Sequence, residues 1–170
     1  MPHHIEVSPP APGPVVEFAQ HVGRLHALLD RAVVSALAGF GFSRGEFDVL
    51  VALAARPDGV RPGQLSEGLL LTTGGLSNIL RRLQRDELIE RLLEPSDRRG
   101  RTIRLTDVGW VRARETTIAV YASIERLLKS IDAPSLGEAN AHLHFILSNL
   151  GEDGPVHRLQ NRLGSKPGSD

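Results

Sequence analysis

The sequence predicts a mainly α-helical fold with one small β-hairpin, an α+β architecture in which a hairpin-bearing lobe adjoins a helical lobe. Three observations predict it. Apolar residues recur at three- and four-residue steps through most of residues 15 to 150, which is typical of amphipathic helices. Capping patterns open several of these segments. One stretch near residue 100 alternates apolar and polar side chains instead, which indicates a strand.

Composition excludes several classes of protein. The 170 residues include no cysteine, which excludes disulfides, cysteine-based zinc sites and thiol redox switches. No apolar run approaches the ~20 residues of a membrane helix, and no signal-peptide pattern opens the chain, so we expect a cytoplasmic protein without a membrane partner. The formal net charge is zero, so nucleic-acid contacts would have to come from locally clustered cations.

The two ends differ in composition from the middle of the chain. Residues 1 to 14 are crowded with proline and should form a disordered arm, and residues 151 to 170 should form a flexible tail. A long first helix is expected over about 15 to 40, where Gly39 and Gly41 stop it. This helix either packs against a partner chain or covers its own core.

Two shorter helices are expected next. Ser43 and Glu46 have the spacing of a capping box, which predicts the start of the second helix. A turn near Pro57 and Gly59 ends it. Pro62 suits the first position of a short third helix.

A fourth helix should follow a cap at Thr72 or Thr73, with a buried stripe of leucines. Polar and basic side chains lie opposite that stripe, at Ser77, Asn78, Arg81, Arg82 and Arg85. One interpretation of this face is an ordinary solvated surface. The absence of acids before Asp86, and the small Gly74 and Gly75 at the tip, favour close approach to an anion such as phosphate.

A basic hairpin should follow, with strands over 88 to 94 and 102 to 106 and a loop over 95 to 101. Between residues 81 and 104, eight arginines stand against five acids, an excess of three positive charges. Three of the arginines lie in the loop, at Arg98, Arg99 and Arg101. Like charges this close repel unless an anion spreads over them, so a DNA-contacting wing is favoured over a plain surface loop.

Two further helices complete the pattern. Thr106 and Asp107 predict the start of a long helix that ends near residue 132. Ser135 and Glu138 repeat the capping-box spacing, which predicts that the last helix opens there.

This order of elements, with the sequence EPSDRRGRTIRLTDVG, resembles the MarR family of bacterial winged helix-turn-helix transcriptional regulators. The match spans nearly all of residues 15 to 150. The resemblance implies a winged helix-turn-helix over about 43 to 106 and dimerisation helices over about 15 to 40 and 107 to 150. It also implies a homodimer that binds a pseudo-palindromic operator in double-stranded DNA and represses transcription.

The resemblance also assigns the DNA contacts. The fourth helix would enter the major groove, and the family's Asp-x-Arg wing pattern places Arg99 in the minor groove, where a narrow groove attracts a guanidinium. Asp97 would orient a neighbouring arginine. The expected contacts are Thr73, Gly74, Ser77, Asn78, Arg81, Arg82, Arg85, Arg98, Arg99 and Arg101. The sequence departs from the family at Ile79, where many relatives place a basic residue, and at Glu87, where a helix-ending glycine is usual.

Relatives often bind a small aromatic or phenolic effector that loosens the grip on DNA. The resemblance makes His26, Phe47 and Trp110 candidates for lining such a pocket, and core packing is the alternative for each. An effector could act only if its affinity differed between two arrangements of the DNA-binding lobes in the dimer.

An enzyme is not expected, because no phosphate-cradling loop, zinc-protease motif or nucleophile motif is present, and no cofactor or metal site is predicted. The main alternative is a winged-helix protein-interaction or dimerisation module without specific DNA binding, which the neutral charge and Ile79 favour. Salt-dependent duplex binding separates the two classes.

Overall fold

The computed structural model describes residues 13 to 151 apart from 70, 95 and 96, and the side chains of residues 93 to 101 also lie outside the described part. The helices are α1 (Pro14–Ala38), α2 (Arg44–Ala54), α3 (Pro62–Gly68), α4 (Thr73–Arg85), α5 (Asp107–Leu128) and α6 (Ala133–Asn149). The strands are β1 (Ile89–Glu94) and β2 (Asp97–Leu105), and they pair antiparallel. The predicted mainly helical fold with one small hairpin is confirmed. The predicted arm and tail lie almost wholly outside the described residues.

Side-chain caps begin the helices that surround the hairpin. In α2 the Ser43 backbone N–H donates to a Glu46 carboxylate oxygen at 2.7 Å, and the Ser43 hydroxyl accepts from the Glu46 N–H, which confirms the capping box. Thr72 caps α4 by accepting from the Gly75 N–H at 3.1 Å. Thr73 is therefore the first residue of α4 and not its cap.

The expected start of the last helix is wrong. Asp132 is the N-cap of α6, and its carboxylate accepts from the Ser135 N–H at 2.8 Å. A carboxylate caps a helix as well as a hydroxyl does, and Pro134 is tolerated in a first turn whose N–H groups have no partner within the helix. The helix therefore begins before the capping-box spacing at Ser135.

Strand β2 also begins earlier than expected, at Asp97 and not at residue 102. The arginine-rich segment over 97 to 101 is thus part of the strand, and only residues 95 and 96 separate the two strands. Leu93 pairs with Arg101 and Glu94 with Asp97, with an irregularity between the two pairs. Antiparallel strands need only a short connection, and pairing gives backbone groups partners that a long loop would leave to water.

Two core clusters hold these elements together. The larger lies under the hairpin and combines buried residues of α2, α3, α4, β1, β2 and α5. The smaller lies among α1, α2 and α5 and consists of Val33, Leu37, Phe47 and Val120. Helix α5 contributes to both clusters, so it connects the hairpin lobe with the helical lobe.

The end of α4 turns sharply into β1 through Glu87. The Glu87 N–H donates to the Gln84 carbonyl at 3.1 Å, and the Leu88 N–H donates to the Leu83 carbonyl at 2.9 Å. These are the two hydrogen bonds of a Schellman motif, in which the residue after the cap is left-handed. Glu87 has φ 58°, so a glutamate occupies the conformation that glycine adopts most readily.

Candidate nucleic-acid interface

Helix α4 presents one buried and one exposed face. Leu76, Leu80 and Leu83 are buried in the larger core cluster, as expected. The side chains expected to meet DNA are exposed, namely Thr73, Ser77, Asn78, Arg81, Arg82 and Arg85, and Gly74 is exposed beside them. No acidic residue occurs between Thr73 and Arg85. The exposed face is therefore wholly polar or basic.

Among the described residues, two arginines of this face have their partners on or beside their own helix. Arg81 donates to the Asn78 side-chain oxygen at 3.0 Å, one helical turn earlier. Arg85 donates to Asp86, its immediate neighbour, at 3.2 Å. Both side chains are exposed, so either can exchange these contacts for a phosphate or a base edge.

Arg82 differs from its neighbours because its guanidinium contacts other parts of the fold. Its Nε lies 3.0 Å from Oε1 of Glu46 on α2, and its Nη2 donates to the Gly41 carbonyl at 2.9 Å. Glu46 is only 2% exposed. The capping-box spacing predicted the contact of Glu46 with Ser43, and nothing in the sequence pointed to Arg82 as a second partner. No spacing along the chain relates residues 46 and 82, so no sequence signal was available.

Ile79 lies between the two faces of α4. It is half-buried and packs against the larger core cluster. A Cβ atom on Gly45 would lie 2.9 Å from its Cδ1, so the glycine of α2 gives this side chain its space. Ile79 therefore belongs to the contact between α2 and α4.

The hairpin is tied to α4 at its base. Arg91 of β1 donates to the Gln84 side chain of α4 at 3.1 Å. Across the strands, Arg104 donates to Glu90 at 2.7 Å, at a directly paired position. The side chains of the predicted wing residues, Asp97, Arg98, Arg99 and Arg101, lie outside the described residues, although their backbone belongs to β2.

The candidate effector residues lie in three different surroundings. His26 is exposed on α1, and Phe47 is 8% exposed in the smaller core cluster. Trp110 borders a cavity of about 440 Å³ near the start of α5, whose lining includes Asp58, Glu90 and Asp107. The single chain therefore does not bring the three residues together, and the cavity at Trp110 is rich in carboxylates.

Exposed apolar side chains concentrate on α1, α5 and α6. Helix α6 has no buried residue, and its Phe145 and Leu150 are 68% and 73% exposed. On α1 the only buried residues are Val33 and Leu37, so its first half lies open. These helices carry apolar surface that the described residues do not cover.

The described residues contain neither a membrane-spanning helix nor a metal-binding cluster. Within the described ranges, no helix is long and apolar enough to cross a membrane. In that same part of the chain, no cluster of three or more histidine, aspartate or glutamate side chains could hold a metal ion.

The chain is similar in sequence to known transcriptional regulators. Residues 40–100 match the model of the MarR family. The chain is 28% identical over 143 residues to the HTH-type transcriptional regulator PecS of Dickeya dadantii (strain 3937). The aligned region covers 83% of this chain and 81% of PecS.

Solved structures share the fold at lower identity. The apo form of wild-type MarR from E. coli aligns with TM-score 0.68 and 23% identity, over 81% of this chain and 99% of that chain. A mutant MarR from E. coli complexed with operator DNA aligns with TM-score 0.68 and 22% identity, over 78% of this chain and 95% of that chain. CouR from Rhodococcus jostii RHA1, bound to p-coumaroyl-CoA, aligns with TM-score 0.68 and 22% identity, over 80% of this chain and 95% of that chain.

Proposed function

We propose that the chain is a transcriptional regulator of the MarR family that represses transcription by binding a pseudo-palindromic operator as a homodimer. The match of residues 40–100 to the family model and the 28% identity to PecS support this proposal. The observation that carries this proposal is the exposed face of α4. Ser77, Asn78, Arg81 and Arg85 stand on it together, without an acidic residue, opposite a stripe of buried leucines. A helix with such a face fits the major groove, which is about 12 Å wide.

The tip of α4 supports the same orientation. Thr73 and Gly74 are exposed at its N-terminus, where backbone N–H groups and the helix dipole favour a phosphate. The hairpin that follows would place Arg98, Arg99 and Arg101 along the adjacent minor groove, with Arg99 inserted and Asp97 orienting a neighbour. Backbone contacts would position the protein, and the helix face would read base edges.

The uncovered apolar surface supports a homodimer. Large exposed apolar patches on a folded chain mark interaction sites, and α6 buries none of its residues within the chain. We propose that α1, α5 and α6 pair with the same helices of a second copy. A two-fold dimer of this kind presents two reading helices to half-sites roughly 10 base pairs apart, which requires a pseudo-palindromic site.

We extend the proposal to a small aromatic or phenolic effector that relieves DNA binding. Support comes from CouR, whose crystal structure contains p-coumaroyl-CoA. His26, Phe47 and Trp110 remain the candidate contacts, and a second chain would have to complete a pocket that includes all three. Trp110 is the only tryptophan, so quenching of its fluorescence by p-coumarate or p-coumaroyl-CoA tests the idea directly.

The proposed role is not enzymatic and needs no cofactor. All of its steps are binding steps: recognition of a duplex, pairing of two copies, and release when an effector favours another arrangement. A repressor of this kind works where the bacterial chromosome is, in the cytoplasm.

Duplex selection tests the DNA-binding step. The wild-type protein is used to select duplexes from a random-sequence pool, and the Kd of the selected duplex is measured against salt concentration. We expect a steep dependence, since each neutralised phosphate contributes a slope of about 0.9. Arg99→Ala should weaken binding at least tenfold and reduce the slope by about one. Arg114→Ala, which removes an exposed arginine of α5, should change neither.

Failure to select any duplex at low ionic strength would overturn this function. The alternative, a winged-helix module that contacts only proteins, would then be favoured by the neutral net charge.

Light scattering tests the homodimer. Phe145→Asp places a charge on the open face of α6, and we expect it to reduce the measured mass from two chains to one. Val108→Asp is the matched control, because Val108 is 56% exposed at the hairpin end of α5, beside the contact of Gly109 with Leu88. A wild-type mass of one chain would contradict the proposal.

A further inference from the structure

We infer that Arg82 is a positioning residue: it holds the reading helix α4 against α2 and the α1–α2 corner, residues 39 to 43, and does not itself contact DNA. This inference rests on the proposed DNA-binding function and deepens it, because it divides one basic helix face into arginines that bind and one that positions. It also revises the sequence-based expectation, which placed Arg82 among the DNA contacts.

The carboxylate of Glu46 is the centre of this arrangement. One oxygen accepts from the Ser43 N–H at 2.7 Å and from the Ser43 hydroxyl at 2.8 Å, which completes the capping box of α2. The other oxygen lies 3.0 Å from Nε of Arg82. The Glu46 side chain is 3% exposed, so Arg82 is the cation that offsets a charge withdrawn from water.

A second contact fixes the direction of the guanidinium. Nη2 of Arg82 donates to the Gly41 carbonyl at 2.9 Å while Nε faces Glu46. The planar fork therefore spans two elements at once, which a single ammonium group could not do with the same geometry. The side chain stays 48% exposed, although its Nε faces Glu46 and its Nη2 faces the Gly41 carbonyl. The same Nε lies 3.8 Å from the exposed Asp86 carboxylate, a longer contact than that with Glu46.

Moving Arg82 to a phosphate would cost more than the new contact returns. It would leave the buried Glu46 carboxylate without its cation, and removing one partner of a buried ion pair is strongly unfavourable. A phosphate contact at a solvated surface is a screened interaction. Arg81 and Arg85 carry no such penalty, because their partners Asn78 and Asp86 are exposed.

The α1–α2 corner is held from its other side as well. Arg112 of α5 donates to the Phe40 carbonyl at 3.4 Å, and its guanidinium lies 5.4 Å and 5.5 Å from the ring centroids of Phe40 and Phe42. The neighbouring carbonyls of Phe40 and Gly41 thus accept from α5 and α4 respectively. Through Arg82 the angle of α4 is set against a corner that α5 already fixes.

The test measures duplex binding by Glu46→Gln, Arg82→Gln, Arg82→Lys and the double variant Glu46→Gln/Arg82→Gln, on the duplex selected by the wild-type protein. Glutamine at position 46 retains one oxygen for the capping box and replaces the oxygen that faces Arg82 with an uncharged NH2 group, which cannot accept from the guanidinium. We expect each single variant to bind roughly tenfold more weakly, and the double variant no more weakly than Arg82→Gln, as for two residues that act as one unit. The salt slope should stay at the wild-type value, because no phosphate contact is lost.

Arg81→Gln is the matched control, one position earlier on the same helix. It should lower the salt slope by about 0.9 and add independently to Glu46→Gln. The inference is overturned if Arg82→Lys binds the duplex like the wild type while Arg82→Gln lowers the salt slope of binding by about one. A lysine can replace an arginine at a phosphate, but it cannot bridge Glu46 and Gly41.

Amide hydrogen exchange of the DNA-free protein gives a second readout that does not depend on affinity. Exchange along α4 should be faster in Arg82→Gln and Glu46→Gln than in Arg81→Gln, and equal rates overturn the inference. If the wild type selects no duplex, the proposed function fails and the inference falls with it. If the wild type binds and all position-46 and position-82 variants bind equally well, only the inference fails.

Discussion

The hydroxyl of Thr106 donates a hydrogen bond of 2.7 Å to the carbonyl of Glu87, which links the start of α5 to the end of α4. The same hydroxyl accepts from the Gly109 N–H at 3.0 Å, so one side chain both caps α5 and stabilises the turn that follows α4. The turn itself depends on Glu87, whose φ of 58° is the only positive value at a non-glycine residue in the described part of the chain.

Replacing Glu87 with glycine should stabilise the protein. A left-handed conformation costs an L-residue roughly 1 to 2 kcal/mol, part of which glycine loses again through its greater freedom when unfolded, so we expect a gain of about 1 kcal/mol. The Glu87 side chain is exposed, and the hydrogen bond from Thr106 goes to the Glu87 backbone carbonyl, so removing the side chain should not lower stability. Urea denaturation of Glu87→Gly measures the gain. Glu87→Ala retains a Cβ and should show none, and equal stability of both variants would argue against strain at this residue.

Gly109 should tolerate no side chain. A Cβ atom there would lie 1.9 Å from the Leu88 carbonyl oxygen, closer than any real contact allows, because α5 begins directly against the start of β1. Gly109→Ala must push the helix and the hairpin apart, and we expect a loss of about 3 kcal/mol in unfolding free energy. Gly63→Ala is the control: nothing lies near that exposed position of α3, so the added methyl group should cause no loss and should stabilise the helix by up to about 1 kcal/mol. Thermal or urea unfolding compares the two, and similar values would refute the close approach.

The two threonines at the start of α4 should separate stability from DNA binding. Thr72 is the cap, so Thr72→Ala should lower the unfolding free energy by about 1 kcal/mol. Thr73 is an exposed first-turn residue, and Thr73→Ala should stay within about 0.5 kcal/mol of the wild type. If Thr73 meets a phosphate, its variant weakens binding of the selected duplex without loss of stability. A destabilised Thr73→Ala with an unchanged Thr72→Ala would reverse this assignment.

The start of α6 should weaken in acid. The hydrogen bond from the Ser135 backbone N–H, followed by that from its hydroxyl, holds the pKa of Asp132 below its ordinary value of 3.8. Because the folded-state pKa is the lower one, the stabilisation is present above pH 3.8 and is lost as the pH falls through the folded-state value.

Carbon-13 NMR of the Asp132 carboxyl group measures this directly. We expect a titration midpoint below 3.8. Ser135→Ala removes the hydroxyl donor and keeps the backbone donor, so its midpoint should lie between the wild-type value and 3.8. A wild-type midpoint at or above 3.8 would contradict the cap.

Much of the fold follows from short-range features of the sequence. The capping box at Ser43 and Glu46, the proline at the start of α3 and the leucine stripe of α4 all act within one or two helical turns, so their spacing is visible in the chain. The glutamate at position 87 was recognised as unusual through the resemblance to the MarR family, in which a helix-ending glycine is usual there, and its positive φ agrees with that glycine preference.

Some local features remained ambiguous because two patterns competed at neighbouring positions. Thr72 and Thr73 are equally good caps by residue type. For α6 the capping-box spacing at Ser135 outweighs Asp132, which the sequence pattern places at the end of the preceding helix and which is in fact the cap. The choice depends on which register lets the helix bury its apolar face, a condition that lies outside the capping segment. Likewise, the extent of β2 depends on backbone pairing with β1, which residue types over 97 to 101 did not indicate.

The basic, acid-free face of α4 opposite a buried stripe can be predicted from the order of residues alone, because a period of 3.6 residues sorts side chains whatever surrounds the helix. Which of those arginines turns back into the protein depends on the packing of α4 against its neighbours. Arg82 meets Glu46 because α2 and the α1–α2 corner lie beside one edge of α4. That contact depends on the angle and position at which packed helices cross, and neither can be deduced from the residue spacing within one helix.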